Sequence, residues 1–123
     1  MANHSIVYFE IPAQDVGRTG QFYGDVFGWR QEPSEAFPYV QLHPQDGPGG
    51  GVTATGEGGD GAPAYPIGEV LMYISTDSIE ESLAAIQAHG GTVDTGKTAI
   101  PGMGWFALFR DPAGNRLGLF SEG

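Results

Sequence analysis

Apolar positions along this chain alternate with polar ones in some stretches and recur at every third to fourth residue in others, and the sequence of these patterns occurs twice. Ile6-Val7-Tyr8-Phe9-Glu10-Ile11 reads as a strand, with Val7, Phe9 and Ile11 on one face and Ile6, Tyr8 and Glu10 on the other. Pro12 ends it. Asp15 is placed to cap the start of a helix in which Val16, Thr19, Phe22, Tyr23, Val26 and Phe27 form the apolar stripe, and Gly28 is placed to close it. A second strand is expected from Trp29 to Gln31, a third from Pro38 to His43 and a short fourth over Gly51-Val52-Thr53-Ala54.

The pattern then restarts. Val70 to Ser75 is a strand. Asp77 is the expected cap of a helix lined by Ile79, Leu83, Ala85 and Ile86 that stops at Gly90-Gly91. Strands follow from Thr92-Val93-Asp94, over Trp105 to Phe109 and over Arg116 to Phe120. The last two are joined by the tight turn Asp111-Pro112-Ala113-Gly114-Asn115, with Pro at the second turn position and Gly to take a positive φ. The interval from Asp15 to Gly28 equals that from Asp77 to Gly90. Each half therefore reads strand, helix, three strands, and the chain is an internal repeat. A four-stranded sheet with one helix leaves its second face uncovered, so two copies must pair to bury or enclose something.

The expected organisation is one α+β domain over residues 1–123. A first module covers about 5–55, a Gly/Pro-rich linker about 56–66 and a second module about 67–122. The Gly-rich stretch from Gly47 to Gly61 is not a phosphate loop, because it lacks a Gly-Lys-Ser/Thr ending and does not run from strand into helix.

Composition narrows the function. With 123 residues, 40% of them hydrophobic, the chain can bury one core. Five Lys and Arg stand against 15 Asp and Glu, a net charge of −10, which repels phosphate backbones and anionic lipid. Nucleic acid and membrane are therefore excluded as expected partners. With Cys 0, disulfides, thiolate metal sites and cysteine nucleophiles are absent. No apolar run approaches the roughly 18 residues of a membrane span. The first residues lack the basic start and apolar stretch of a signal peptide, so a cytoplasmic location is expected.

Several segments resemble the vicinal oxygen chelate superfamily, which includes glyoxalases, bleomycin-resistance proteins and extradiol dioxygenases. They are Phe22-Tyr23-Gly24-Asp25-Val26-Phe27-Gly28-Trp29, Gly90-Gly91-Thr92-Val93, Pro101-Gly102-Met103-Gly104-Trp105-Phe106-Ala107 and Asp111-Pro112-Ala113-Gly114-Asn115. The resemblance spans about Ile6 to Phe120. It implies paired βαβββ modules whose mixed sheets curl into a cup, with helices outside and ligand inside. Val7, Phe9, Ile11, Met72 and Ile74 would then face the helices, and Tyr8, Glu10, Leu71, Tyr73 and Ser75 the cup. It also implies a homodimer, and the superfamily contains both enzymes and binding proteins.

Enzymes of this superfamily hold a divalent metal with His and Glu side chains from the first and last strands of each module. The first-strand position here is Tyr8, or Ile6 if Pro12-Ala13 is an insertion. Its counterpart in the second half is Leu71. The closing-strand carboxylate position is Gly118, and the remaining one lies near Gly51-Val52-Thr53. None is a ligand, and His4, His43 and His89 lack ligand spacing. No metal and no cofactor are expected.

The expected function is binding of a small, largely apolar or aromatic molecule in a metal-free cup, with sequestration of an antibiotic or metabolite as one form. The alternative is a glyoxalase-like lyase, isomerase or dioxygenase, metal-dependent or metal-free. Candidate ligand-binding residues are Tyr8, Glu10, Leu71, Tyr73, Trp105, Arg116 and Phe120, with Tyr39 and Ser75 added by strand phase alone. Tyr8 and Glu10 are the candidates for proton transfer. Trp105 offers a flat wall for a planar ligand. Arg116 offers a cation, either to an anionic ligand or to a neighbouring acid. Phe22, Tyr23, Phe27 and Phe109 are expected in the core.

Overall fold

The computed structural model describes residues 3–56 and 64–123, so most of the expected linker lies outside the described residues. The described elements are β1 (Ile6–Ala13), α1 (Val16–Phe27), β2 (Arg30–Pro33), β3 (Tyr39–His43), β4 (Gly49–Ala54), β5 (Leu71–Ser75), α2 (Ile79–Ala88), β6 (Thr92–Ile100), β7 (Gly104–Arg110) and β8 (Arg116–Ser121). This is the expected pair of βαβββ modules in a mixed α+β fold. The chain forms two compact units, one over Tyr8–Val70 and the other joining the residues up to Val7 with Leu71–Gly123.

In the Tyr8–Val70 unit the strand order is β2-β3-β4-β1. β1 runs parallel to β4, and the other neighbours are antiparallel. The helix face buries Ala13, Val40, Leu42 and Val52, with Phe9, Ile11, Val16, Tyr23 and Trp29 packed against them. Gly20 lets α1 approach β3 closely, since a Cβ there would lie 2.9 Å from Val40 Cγ1. Asp15 caps α1 by accepting from the Arg18 N–H at 3.0 Å, and Gly28 closes it at φ 73°. Tyr23 stacks on Trp29, with centroids 5.5 Å apart and planes 10° apart. Phe22 and Phe27 are not core, being 54% and 59% exposed. The apolar positions of α1 span more of its circumference than the sheet covers. Tyr23 takes the covered side, while Phe22 and Phe27 flank it in ring contact.

In the other unit the order is β5-β8-β7-β6, with β5 and β8 parallel. α2 closes a core of Ile79, Ala107, Phe109 and Leu119, joined by Ile74, Leu83, Ile86, Trp105 and Leu117. β6 follows β7 with register shifts on both sides of Thr95. The β7–β8 turn forms as its sequence dictates. Asp111 Oδ1 accepts from the N–H groups of Ala113 and Asn115, and Gly114 takes φ 96°. Ile74 packs on the helix side as expected, but Met72 and Val7 are exposed.

The cap of α2 is Ser78 rather than Asp77. Ser78 has the extended backbone of a cap, and its hydroxyl accepts from the Glu81 N–H at 3.1 Å. The neighbouring Thr76 hydroxyl accepts from the Ser78 N–H at 3.2 Å and meets the Ser82 hydroxyl at 2.7 Å, which fixes the entry to the helix one residue later. Glu80 and Glu81 then fall in the first turn, where the helix dipole favours them. No helix among the described residues is long and apolar enough to cross a membrane. Ser78→Ala should lower stability by about 1 kcal/mol in urea unfolding. An unchanged midpoint would return the cap to Asp77.

Candidate ligand-binding site

Alternation along β1 sends Phe9 and Ile11 into the helix-side core and Tyr8 and Glu10 to the opposite, helix-free face. Tyr39 of β3 joins them there. Its hydroxyl donates to Glu10 Oε2 at 2.9 Å. Because that uses its only proton, the hydrogen bond between the Tyr8 and Tyr39 hydroxyls is donated by Tyr8. The result is a half-buried relay from Tyr8 to Tyr39 to Glu10. Burial is the largest cause raising both phenol pKa values, and the Glu10 charge adds to it. Tyr8 is pushed up to about 12, and Tyr39 is raised further. Both are held protonated at neutral pH. Phe37, in the β2–β3 loop, lies against the Tyr39 ring at 5.5 Å between centroids.

What admits Tyr39 to this position is Gly51. A Cβ on Gly51 would sit 2.1 Å from the Tyr39 hydroxyl oxygen, so the ring end occupies the space of the missing side chain. The other unit repeats the device on its own helix-free face. Tyr73 pairs in register with Gly118, and a Cβ on Gly118 would meet the Tyr73 ring at 2.4 Å. Leu71 and Leu108, on the same face, are buried at 1% and 0% exposure.

Arg116 also belongs to this face, and its side chain is only 3% exposed. Its guanidinium lies 3.2 Å from Asp94 Oδ2, while Arg110 Nε reaches Asp94 Oδ1 at 3.4 Å. One carboxylate thus bridges two arginines. Arg116 is therefore committed to a neighbouring acid, although inside the fold and not at its surface. Phe120 and Ser75 line an open cleft of about 520 Å³ in this unit, with Val7, Asp77 and Glu122.

Trp105 is the correction among the candidates. The register pairs Ala107 with Leu119 on the helix side, and Trp105 shares that side by alternation. It packs with Phe109 near Ile79 and Leu119, and the Lys97 ammonium lies 4.6 Å from its ring centroid. Trp105 therefore forms no wall with Tyr73 and Phe120, which face the other way.

The four positions expected to hold a metal do not fit one. Register pairs Glu10 with Gly51 and Tyr73 with Gly118, which makes Tyr8 and Leu71 equivalent and settles the choice between Tyr8 and Ile6. The set is then one protonated phenol, one buried isobutyl group and two glycines whose side-chain space is filled by tyrosine rings. Among the described residues, no three His, Asp or Glu side chains gather as a metal site. His43 bonds Glu32 at 3.0 Å, and the His89 Nδ1–H donates to the Ala85 carbonyl at 2.9 Å.

Sequence reasoning placed Tyr39 by phase only and missed Phe37 and Asp94. Phe37 sits in a loop without periodicity. Asp94 owes its place to the β6 irregularity, which leaves no mark in the hydrophobic pattern.

Comparison with known proteins agrees with this architecture. Residues 5–119 match the family model of the Glyoxalase/Bleomycin resistance protein/Dioxygenase superfamily. A glyoxylase-like domain-containing protein of Didymella fabae is 30% identical over 114 residues, covering 86% of this chain and 84% of its own. A hypothetical protein of Bacillus halodurans C-125 has a TM-score of 0.75 at 11% identity, with 98% of this chain and 96% of that chain covered. A glyoxalase/bleomycin resistance protein/dioxygenase superfamily member of Vibrio splendidus 12B01 has a TM-score of 0.65 at 17% identity, with 97% and 99% covered.

Gly118→Ala should lower stability by about 1–3 kcal/mol by overpacking the buried Tyr73 ring. Gly96→Ala, with nothing within 4 Å of the added carbon, should change it little. Equal effects in denaturant unfolding would refute the filling role of Tyr73. In alkaline titration, unfolded tyrosines ionise near 10 while folded Tyr8 keeps its proton to about 12. The folded state then binds more protons, so stability should fall as pH rises between those values. Tyr8→Phe should flatten that fall, as read from phenolate absorbance and unfolding midpoints.

Proposed function

Because the chain belongs to the Glyoxalase/Bleomycin resistance protein/Dioxygenase superfamily, we propose that it binds a small organic molecule by hydrogen bonding and aromatic contact, without a chelated metal. The observation that carries this reading is the Tyr8–Tyr39–Glu10 relay, a polar cluster on a helix-free face where a chelating relative needs metal ligands. The ligand has an apolar or aromatic body. Tyr8 and Glu10 give it polar selectivity, and Tyr39 beside them supplies aromatic surface. The role is sequestration of a metabolite or antibiotic rather than turnover. Metal-free proton transfer by Tyr8 and Glu10 has weaker support, because a phenol held well above its ordinary pKa is a poor proton donor at neutral pH.

Native mass spectrometry of the purified full chain tests this reading, and reports the expected homodimer in the same spectrum. After incubation with Zn, Ni, Fe or Mn salts and desalting, metal should remain well below one equivalent per chain, and a chelator should leave the unfolding midpoint unchanged. A retained organic mass supports the reading. One equivalent of a chelator-sensitive metal, required for ligand binding or turnover, would overturn it.

A further inference from the structure

The connection between β3 and β4 carries a reactive pair that the binding face does not use. Asp46 is followed by Gly47, and both are exposed. The carboxyl carbon of an aspartate can be attacked by the backbone nitrogen of the next residue. Three conditions govern that attack. The next residue must carry no side chain that blocks the approach, its N–H must not be held in a hydrogen bond, and the backbone must be free to bring the two groups together.

Asp46 meets all three. Among the described residues, neither its carboxylate nor the Gly47 N–H has a hydrogen-bond partner. Gly47 takes φ 86°, and a Cβ built on it would meet nothing within 4 Å, so a ring has room to close. Residues 44–48 lie in no strand and make no turn hydrogen bond, whereas the Asp111–Asn115 turn is closed by bonds of 2.9 Å from the Asp111 and Gly114 N–H groups. The other described aspartates each fail. Asp15 and Asp25 precede Val16 and Val26, β-branched residues of α1. Asp77 precedes Ser78, whose N–H is held by Thr76 Oγ1 at 3.2 Å. Asp94 precedes Thr95 within β6, and its carboxylate is bound by Arg110 and Arg116. Asp111 precedes Pro112, which has no N–H. Asp60 also precedes a glycine but lies outside the described residues.

We infer that Asp46–Gly47 is a site of spontaneous covalent modification, at which the folded chain converts aspartate to isoaspartate. The Gly47 nitrogen bonds to Asp46 Cγ, the Cγ–OH bond breaks, and the hydroxyl leaves with the amide proton as water. Water then opens the succinimide ring. Opening at Cγ restores aspartate. Opening at the main-chain carbonyl routes the backbone through the Asp46 side chain and frees the α-carboxylate. Nothing is oxidised or reduced, and the charge is unchanged. The freed α-carboxylate stands on an exposed loop, where an isoaspartyl carboxyl methyltransferase is the class of enzyme that recognises it.

The full chain is aged at neutral pH and physiological temperature, either folded or unfolded in urea, and then cut after Glu. Residues 36–57 and 58–69 fall in separate peptides, which isolates Asp46 from Asp60. Isoaspartate is read as a peptide of unchanged mass and altered retention, located by fragmentation. It is read independently by uptake of a labelled methyl group from a sulfonium donor and the methyltransferase. The folded chain should form isoaspartate at Asp46 about tenfold faster than at Asp15, Asp25, Asp77 or Asp94, and within about threefold of the unfolded chain, because the loop gives no protection. Asp46→Ala removes the carboxyl at an exposed position. It should abolish methyl uptake on the 36–57 peptide and leave the unfolding midpoint unchanged. A rate at Asp46 short of either margin would overturn the inference, as would methyl uptake on that peptide that survives Asp46→Ala.

Discussion

The helix-free faces of both units depend on one contact, a tyrosine lying against a glycine that has no side chain to oppose it. In one unit the Tyr39 hydroxyl end occupies the space over Gly51, and in the other the Tyr73 ring occupies the space over Gly118. The contact is steric before it is chemical. Any Cβ at either glycine would fall far inside van der Waals distance of the tyrosine, so each pair is set jointly. The electrostatics follow. Tyr39 can reach Glu10 only because Gly51, directly opposite Glu10 in register, yields the room.

Position then decides protonation. Burial disfavours phenolate at Tyr8 and Tyr39, and the carboxylate beside them disfavours it again. The two phenols therefore remain neutral donors, and both protons are directed along the relay toward the one ionised group. The other unit solves its charge problem differently. It buries the Arg116 guanidinium on Asp94 and lets Arg110 share the same carboxylate. Two of the chain's five Lys and Arg residues are thereby committed to one acid, which leaves little cationic surface to attract an anion.

Much of this fold was legible in the sequence. The duplicated strand–helix–three-strand order, the Asp15 and Gly28 caps and the Asp111–Asn115 turn each have a local cause, and local causes leave local patterns. Strand phase also placed Tyr8, Glu10, Leu71 and Tyr73 on the face away from the helices. Failures arose where a neighbour outside the local pattern decided the outcome. Thr76 and Ser82 moved the α2 cap from Asp77 to Ser78. The width of the sheet under α1 decided that Tyr23 is covered while Phe22 and Phe27 are not. The phase of β7 was fixed by pairing with β8, which turned Trp105 toward α2. Asp94 reached Arg116 through an irregularity in β6 that no periodicity encodes.

The same joint fitting bears on what a metal-ligating side chain would require at positions 51 and 118. Placing a carboxylate at position 118 requires more than the ligand itself. The new side chain would enter the volume of the Tyr73 ring, which is buried and cannot rotate into solvent without emptying its own site. A carboxylate at position 51 would displace the Tyr39 hydroxyl and so remove the donor that holds Glu10. Positions 51 and 118 are thus each filled by a tyrosine on a neighbouring strand, and a carboxylate at either requires a second change at that tyrosine. No single substitution therefore places a carboxylate at position 51 or 118 without displacing the tyrosine that occupies the space.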